Sequence, residues 1–409
     1  MPFEEPLAFK VEWFDAASSL HRHFNFSFYQ SDTSVEMFDT KLRKMFLKRC
    51  AISGLDRKEL FVGNTIVVFS RHLLIKDYAN EYTKDQVEND KQSTLILLYP
   101  DAHDQLGFVL DCLERGGYNL CRARSLRFTL TTAREFFDRF LVQGKDISQE
   151  IRRLTSYDEV PSIAMEIVGP SAIRKWRHLV RPSVAFEDAN TEENELNFRG
   201  MYGSANPMDA EWELQFIFNQ KPINVQPDPP VKLSCGPDVT CCVIKPHTLR
   251  EGKAGRIMEE IQVRGFHIFG FQSFILTKKE VEDFYEIYKG IPNQDYHGLV
   301  RQGSSGRCLV LALSQGSGLK LTEEIPSVVE AFRKLCGPSD PEVCKVLYPD
   351  SLRAKYGGMN QEENAVYCSD LEDDGILEVD FYCNLTNHLK WISHSILDTV
   401  ETFQMKCNF

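Results

Sequence analysis

The chain repeats itself, and that repeat restricts its fold more than any other feature. Ser93–Pro100 (STLILLYP) parallels Thr240–Pro246 (TCCVIKP), and Leu106–Tyr118 (LGFVLDCLERGGY) parallels Ala254–Phe266 (AGRIMEEIQVRGF). Glu135–Phe137 answers to Asp283–Tyr285, Phe198–Gly203 to Leu352–Gly357, and Glu213–Phe216 to Glu378–Phe381. Two units built in the same order are implied. Each opens on an apolar strand followed by an amphipathic helix that stops at glycine. Ile257, Ile261 and Val263–Phe266 mark that helix and its end in the second copy. A further strand, a helix over Lys278–Tyr288 and a strand over Cys308–Leu313 complete a βαββαβ order, which predicts an antiparallel sheet covered by helices.

The flanks read differently. Over residues 1–90, Phe9–Phe14 and His23–Tyr29 alternate apolar and polar positions, as half-buried strands do. Val35–Phe38, Thr65–Ser70 and His72–Asp77 continue the series, and aromatic residues at every second place suggest a small barrel or sandwich with one packed face. Lys41, Arg43, Lys44, Lys48 and Arg49 crowd one hairpin, either as a solvated face or as a patch for an acidic partner. Residues 80–92 are polar and predict a linker. Five prolines make 219–239 an extended connection between the copies. In 384–409, Leu389, Ile392, Ile396, Val400 and Phe403 form one apolar stripe at helical spacing, which predicts a helical tail. The expected division is 1–90, 91–219, a linker over 220–239, 240–383 and 384–409, a multidomain α+β chain.

Composition removes several classes. A formal net charge of −12 over 409 residues argues against a nucleic-acid binder. No apolar run approaches the ~18 residues that cross a bilayer, and the amino terminus carries acid where a secretory signal needs an apolar core. The reading is an intracellular protein with reduced thiols and neither nucleic acid nor membrane as a partner. Cys235, Cys241 and Cys242 lack the paired spacing of zinc ligands, and no metal site is expected.

The stretch Pro349–Asp370 carries the chemistry. Arg353 precedes a glycine-containing loop, and Asn364-Ala-Val-Tyr367-Cys-Ser-Asp370 follows. This segment resembles the catalytic stretch of nucleoside diphosphate kinases, in which an Asn is followed three residues later by a phosphate-accepting His and then by Ser and Asp. Tyr367 stands where that His belongs. By the same resemblance, Lys245, Arg333 and Arg353 match the phosphate-binding cations, and Ser339 matches a phosphate-contacting Thr. Tyr285 matches a tyrosine beside the catalytic Lys, Asn364 the sugar-contacting Asn, and Glu378 the acid that supports the His. His247 replaces an Asp.

In the first copy Tyr99 takes the place of the phosphate Lys. Arg177, Arg199 and Ser183 match the remaining phosphate contacts, and Asn206 is read as the old Asn, with Met208 or Asp209 near the nucleophile. No other histidine (His178, His267, His297) falls in the motif.

Phosphoryl shuttling needs a nucleophile that is unprotonated near neutrality and gives a labile adduct. Imidazole, with a pKa of about 6.5, fits; a phenol, at about 10, does not, and its phosphate ester is a poor donor. The expectation is a non-catalytic relative with no required cofactor, although the second copy retains residues for a nucleotide with Mg.

The amino-terminal residues Val11–Asp15, Ser34–Asp39, Phe46–Arg49 and Leu60–Asn64 resemble the DM-ten module of ciliary proteins, a pleckstrin-homology-like β fold. One such module before two kinase-like units is similar to a group associated with ciliary doublet microtubules, inside the tubule lumen, and with γ-tubulin ring complexes. The resemblance implies a structural protein of the axoneme of cilia or flagella, with tubulin and other microtubule inner proteins as partners. The alternatives are a nucleotide-binding adaptor at γ-tubulin complexes and a kinase using another nucleophile.

Overall fold

The computed structural model describes residues 5–52, 54–87, 91–142, 147–155, 160–179, 200–219, 239–292, 295–315 and 327–385. The amino-terminal region forms one antiparallel sheet from β1 (Leu7–Asp15), β2 (Leu20–Tyr29), β3 (Ser34–Asp39), β4 (Lys44–Ala51), β5 (Thr65–Val68) and β6 (Arg71–Tyr78), in the order β4-β3-β2-β1-β6-β5. Alternation explains it: Leu7, Phe9 and Val11 of β1 and Phe24, Phe26 and Phe28 of β2 all point into one core. Phe69 and Ser70 both have positive φ and make the tight turn between β5 and β6, so the strand expected through Ser70 ends at Val68. The packed face is as expected. A closed barrel is not formed, because β4 and β5 do not pair with each other among the described residues.

The polar stretch expected to be a linker holds a short helix, α1 (Glu81–Val87). Asn80 caps it by accepting from Thr83 N at 2.9 Å, and Thr83 Oγ1 in turn accepts from Ala8 N at 2.8 Å. Val87 is buried in the same core. Capping outweighed low hydrophobicity here.

Each repeat forms a four-stranded antiparallel half-sheet. The first uses β7 (Gln92–Leu98), β8 (Asn119–Leu126), β9 (Ser162–Gly169) and β10 (Met201–Gly203); the second uses β11 (Thr240–Ile244), β12 (Phe266–Ile275), β13 (Arg307–Gln315) and β14 (Val366–Cys368). The helices of the first are α2 (Leu106–Arg115), α3 (Leu130–Val142), α4 (Ser148–Thr155), α5 (Ala172–Leu179) and α6 (Pro207–Leu214). Those of the second are α7 (Pro246–Arg250), α8 (Ala254–Val263), α9 (Lys278–Phe284), α10 (Tyr296–Gly303), α11 (Val328–Cys336), α12 (Pro341–Leu347) and α13 (Leu352–Tyr356), and residues 372–385 are also helical. This is the ferredoxin-type arrangement.

The halves join edge to edge, giving one eight-stranded sheet ordered β10-β7-β9-β8-β12-β13-β11-β14. The order is symmetric about the β8–β12 seam. Gln272 pairs with Arg124 there, and serines complete the seam: Ala123 N donates to Ser273 Oγ and Phe271 N to Ser125 Oγ.

Helices α2 and α8 cross over the seam at very short range. A Cβ on Gly107 would fall 2.2 Å from Glu259 N, and one on Gly255 would fall 2.0 Å from Asp111 N. Gly107 N donates to Gln262 Oε1, and its counterpart Gly255 N donates to Glu114 Oε2. Leu106, Val109, Leu110, Ile257, Met258 and Ile261 make this the centre of a core common to both copies. Burial pushes the Glu114 carboxyl up to about 7.

The amino-terminal sheet is seated on both copies. Lys91 Nζ and Asn119 Nδ2 bond the Lys58 carbonyl, and Arg307 Nη2 donates to Asn64 Oδ1 at 3.1 Å. Among the described residues no helix is long and apolar enough to cross a membrane. Ser183, Arg199 and Cys235, nearly all of the proline-rich connection, and residues 386–409 of the expected tail lie outside the described residues, as does the His178 side chain.

Candidate functional site

The second-copy site is assembled around Asn364–Asp370. Ala365 adopts φ +67°, a left-handed conformation that costs a residue with a Cβ, and turns the chain into β14. Its carbonyl accepts from Lys245 N at 2.9 Å, which ties the start of β14 to the end of β11. Tyr367 is thereby placed in mid-strand with its ring buried against Tyr285, Tyr288 and Phe284; the Tyr285 ring centre lies 5.8 Å away.

The Tyr367 hydroxyl donates to Glu378 Oε1 at 2.5 Å, and Ser369 Oγ donates to Glu378 Oε2 at 2.6 Å. Ser369 Oγ also accepts from Cys241 N. Both oxygens of the carboxylate are therefore engaged, although burial pushes its pKa up to about 7. Burial and the adjacent Glu378 hold the Tyr367 phenol well above its ordinary value. A proton on this oxygen is stable at any physiological pH.

Tyr288, which the sequence reading did not single out, completes the group. Its hydroxyl donates to Asp370 Oδ2 at 2.5 Å and meets the Tyr367 hydroxyl at 3.3 Å. Only its place in the fold reveals it, since it follows Tyr285 by three residues on the turn after α9.

The expected phosphate contacts converge on the same segment, but their hydrogen bonds are turned inward. Lys245 is buried and donates to the Glu362 carbonyl at 3.1 Å; burial, with Arg353 close by, lowers its pKa to about 7. Arg353 donates from Nε and Nη2 to the Val366 carbonyl, from Nη1 to the Gly337 carbonyl, and from Nη2 to Cys368 Sγ. Four of the roughly five N–H groups of a guanidinium are thus used within the protein. Arg333 is half exposed and donates to the Asp370 carbonyl at 2.6 Å.

Ser339 is exposed and meets the site through its carbonyl, which accepts from Asn364 Nδ2 at 3.0 Å. Asn364 Oδ1 is buried without a partner. His247 is neutral, lowered to about 4 by burial and by Lys245; its Nδ1 faces Gln302 at 2.6 Å and its Nε2 faces Thr248 at 3.2 Å.

The first copy corrects the sequence alignment. Met201–Gly203 is a strand, whereas the segment matched to it, Leu352–Tyr356, is helix α13. The true counterpart of β10 is β14. The Tyr202 hydroxyl donates to Glu213 Oε1 and Ser204 Oγ to Glu213 Oε2, while Leu95 N donates to Ser204 Oγ. Tyr99 N bonds the Gly200 carbonyl as Lys245 N bonds that of Ala365. Tyr202 therefore holds the nucleophile position, and neither Asp209 nor Met208 does.

Asn206 is not the sugar-contacting Asn; its side chain accepts from Asp209 N and caps α6. Tyr99 is fully buried under the Arg153 guanidinium, 5.1 Å from its ring centre, and supplies no cation. Arg177 is half-buried and donates to the Ala205 carbonyl at 3.4 Å. His267 and His297 are exposed, on β12 and α10.

A search of protein families matches the nucleoside diphosphate kinase model over residues 238–387. The chain is 33% identical to nucleoside diphosphate kinase homolog 7 of Rattus norvegicus over 399 residues, covering 94% of each protein, and likewise 33% identical to the Mus musculus protein over 401 residues. Among solved structures, Aquifex aeolicus nucleoside diphosphate kinase aligns at 25% identity and TM-score 0.31, over 36% of this chain and 94% of that one. With one-third identity sustained along nearly its whole length, the chain belongs to the nucleoside diphosphate kinase homolog 7 family.

Proposed function

We propose that this protein is a non-catalytic member of its family that serves as a structural component of the ciliary or flagellar axoneme. The observation that carries the first half is the pair of Tyr–Glu–Ser groups. In each copy a protonated phenol, bonded to a buried carboxylate, fills the place of the phosphate-accepting nitrogen. Such an oxygen is a poor nucleophile, and its phosphate ester would not pass the group to a second diphosphate. The inward-turned Lys245 and Arg353 support the same reading, because transition-state charge needs donors aimed at the substrate.

The axonemal half rests on the resemblance of residues 1–90 to a DM-ten module with a pleckstrin-homology-like fold, followed by kinase-like units over 91–219 and 240–383. As a microtubule inner protein it would meet tubulin in the doublet lumen. Lys41, Arg43, Lys44, Lys48 and Arg49 are all exposed and suit an acidic surface. Isolated doublets should co-sediment with the protein and retain it through mild salt; extraction by mild salt would refute the assignment.

A second reading, a nucleotide-binding adaptor at γ-tubulin complexes, is favoured by one detail. Asn364 Oδ1 is buried without a partner and Arg333 is half exposed, and these are the groups that the resemblance assigns to a nucleotide's sugar and phosphate. If a nucleotide with Mg binds, Lys245, Arg333 and Asn364 would hold it, with Tyr285 packed behind. Titration with ADP and Mg, repeated on Arg333→Ala, separates the two readings.

A further inference from the structure

An open crevice of about 820 Å³ lies where the amino-terminal region meets the first copy, within the size range of small-molecule sites. Val62, just before β5, contributes from the amino-terminal side. Lys91 and Ser93 line it at the start of β7, with Arg122 of β8, Arg174 of α5 and Glu211 of α6. Tyr99, the counterpart of Lys245, follows the opposite end of β7, so the crevice is not the first copy's kinase-like centre.

Its charges are not balanced. Arg122 is answered by Glu166, with Nε 2.5 Å from Oε2. Among the described residues Lys91, Arg174 and Glu211 make no ion pair, although all three line the same crevice. Lys91 Nζ bonds the Arg57 and Lys58 carbonyls, which uses two of the three N–H groups of an ammonium. Burial lowers its pKa to about 8, an effect that an anion in the crevice would reverse. Arg174 is exposed, and its guanidinium is open to a paired contact with an oxyanion. Two uncompensated cations suit a dianion, whereas a carboxylate would neutralise one. A phosphate monoester carries about −1.5 to −2 at neutral pH. Glu211 would repel a second anionic group but accept from a hydroxyl.

We propose that this crevice binds a small phosphate monoester, with the phosphate drawn to Lys91 and Arg174 and a hydroxyl-bearing body toward Glu211. Ser93, half-buried on the same wall, offers the phosphate a further hydroxyl donor. Because Val62 belongs to one part of the chain and Arg174 to another, the ligand bridges the amino-terminal sheet and the first copy and stabilises their contact. The site is independent of whether the protein transfers phosphate.

The test titrates the full-length protein calorimetrically with glucose 6-phosphate, inorganic phosphate and glucose. Glucose 6-phosphate is expected to bind saturably and to raise the melting temperature, inorganic phosphate to bind more weakly, and glucose not to bind. Arg174→Ala, at an exposed position outside the core, should weaken both phosphate compounds by about tenfold. Glu211→Ala should bring glucose 6-phosphate down to the affinity of inorganic phosphate, and Arg333→Ala, in the second copy, should leave both unchanged. Absence of saturable binding, affinities unmoved by Arg174→Ala, or loss of binding in Arg333→Ala would overturn the proposal. Glucose 6-phosphate binding no tighter than inorganic phosphate would overturn it too.

Discussion

Tyr202 on β10 and Tyr367 on β14 occupy equivalent ends of the one eight-stranded sheet, and each hydroxyl is fixed on a glutamate that follows at the same sequence interval. The replacement is thus not a lesion in one copy. The two copies have the same phenol, the same supporting serine and the same carboxylate geometry. In each copy a tyrosine that packs and hydrogen-bonds stands at this position.

That view makes the tyrosines stability elements. Tyr367→Phe removes a donor to Glu378 and leaves a buried carboxylate oxygen without it, a cost of about 1–3 kcal/mol. Tyr202→Phe should cost a similar amount. The sites are at opposite ends of the sheet, so the double variant should lose the sum. Chemical denaturation of the three variants measures this; an unchanged midpoint for either single variant would contradict it.

Much of this was legible before the fold. The βαββαβ order and the pairing of Glu213 with Glu378 follow from the repeat, and the tyrosine at residue 367 from the resemblance of Asn364–Asp370 to the kinase catalytic stretch. The Tyr202 site was missed because Phe198–Gly203 resembles Leu352–Gly357 in composition, and an aromatic-Gly match outweighed the spacing to Glu213. Carrying the Glu213–Glu378 register back to Ser204 and Tyr202 would have found it. Tyr288 and the inward turn of Arg353 depend on tertiary packing, which has no local signature. α1 was hidden because its stabilisation comes from Asn80 and Thr83 capping contacts rather than from an apolar stripe.

The seam between the copies depends on backbone contact at Gly107 and Gly255. Gly107→Ala puts a methyl group into the α8 backbone and should destabilise by about 1–3 kcal/mol or more, against the gain expected from Ala in an ordinary helix. Gly117→Ala is a useful comparison, because nothing lies within 4 Å of its added carbon and only its positive φ opposes the change. Thermal melting should rank Gly107→Ala as the worse of the two.

Lys245 predicts a pH dependence. Its pKa falls from an ordinary 10.5 to about 7 in the folded protein, so between these values the unfolded chain binds more protons. Stability from this group must then rise with pH across that window, by up to about 1.4 kcal/mol per unit. Lys245→Met should lack this rise. Unfolding free energies of both proteins at pH 7, 8 and 9 test it; a wild-type minus variant difference that is flat or falling would show that Lys245 is not desolvated.

On the proposed function, neither copy carries phosphate between nucleotides. Purified full-length protein incubated with γ-labelled ATP and then GDP, beside a mock purification, is the direct measurement. No labelled protein intermediate and no GTP above the mock are expected. A phospho-protein whose label is chased into GTP by added GDP, and which disappears in Tyr367→Phe, would contradict it.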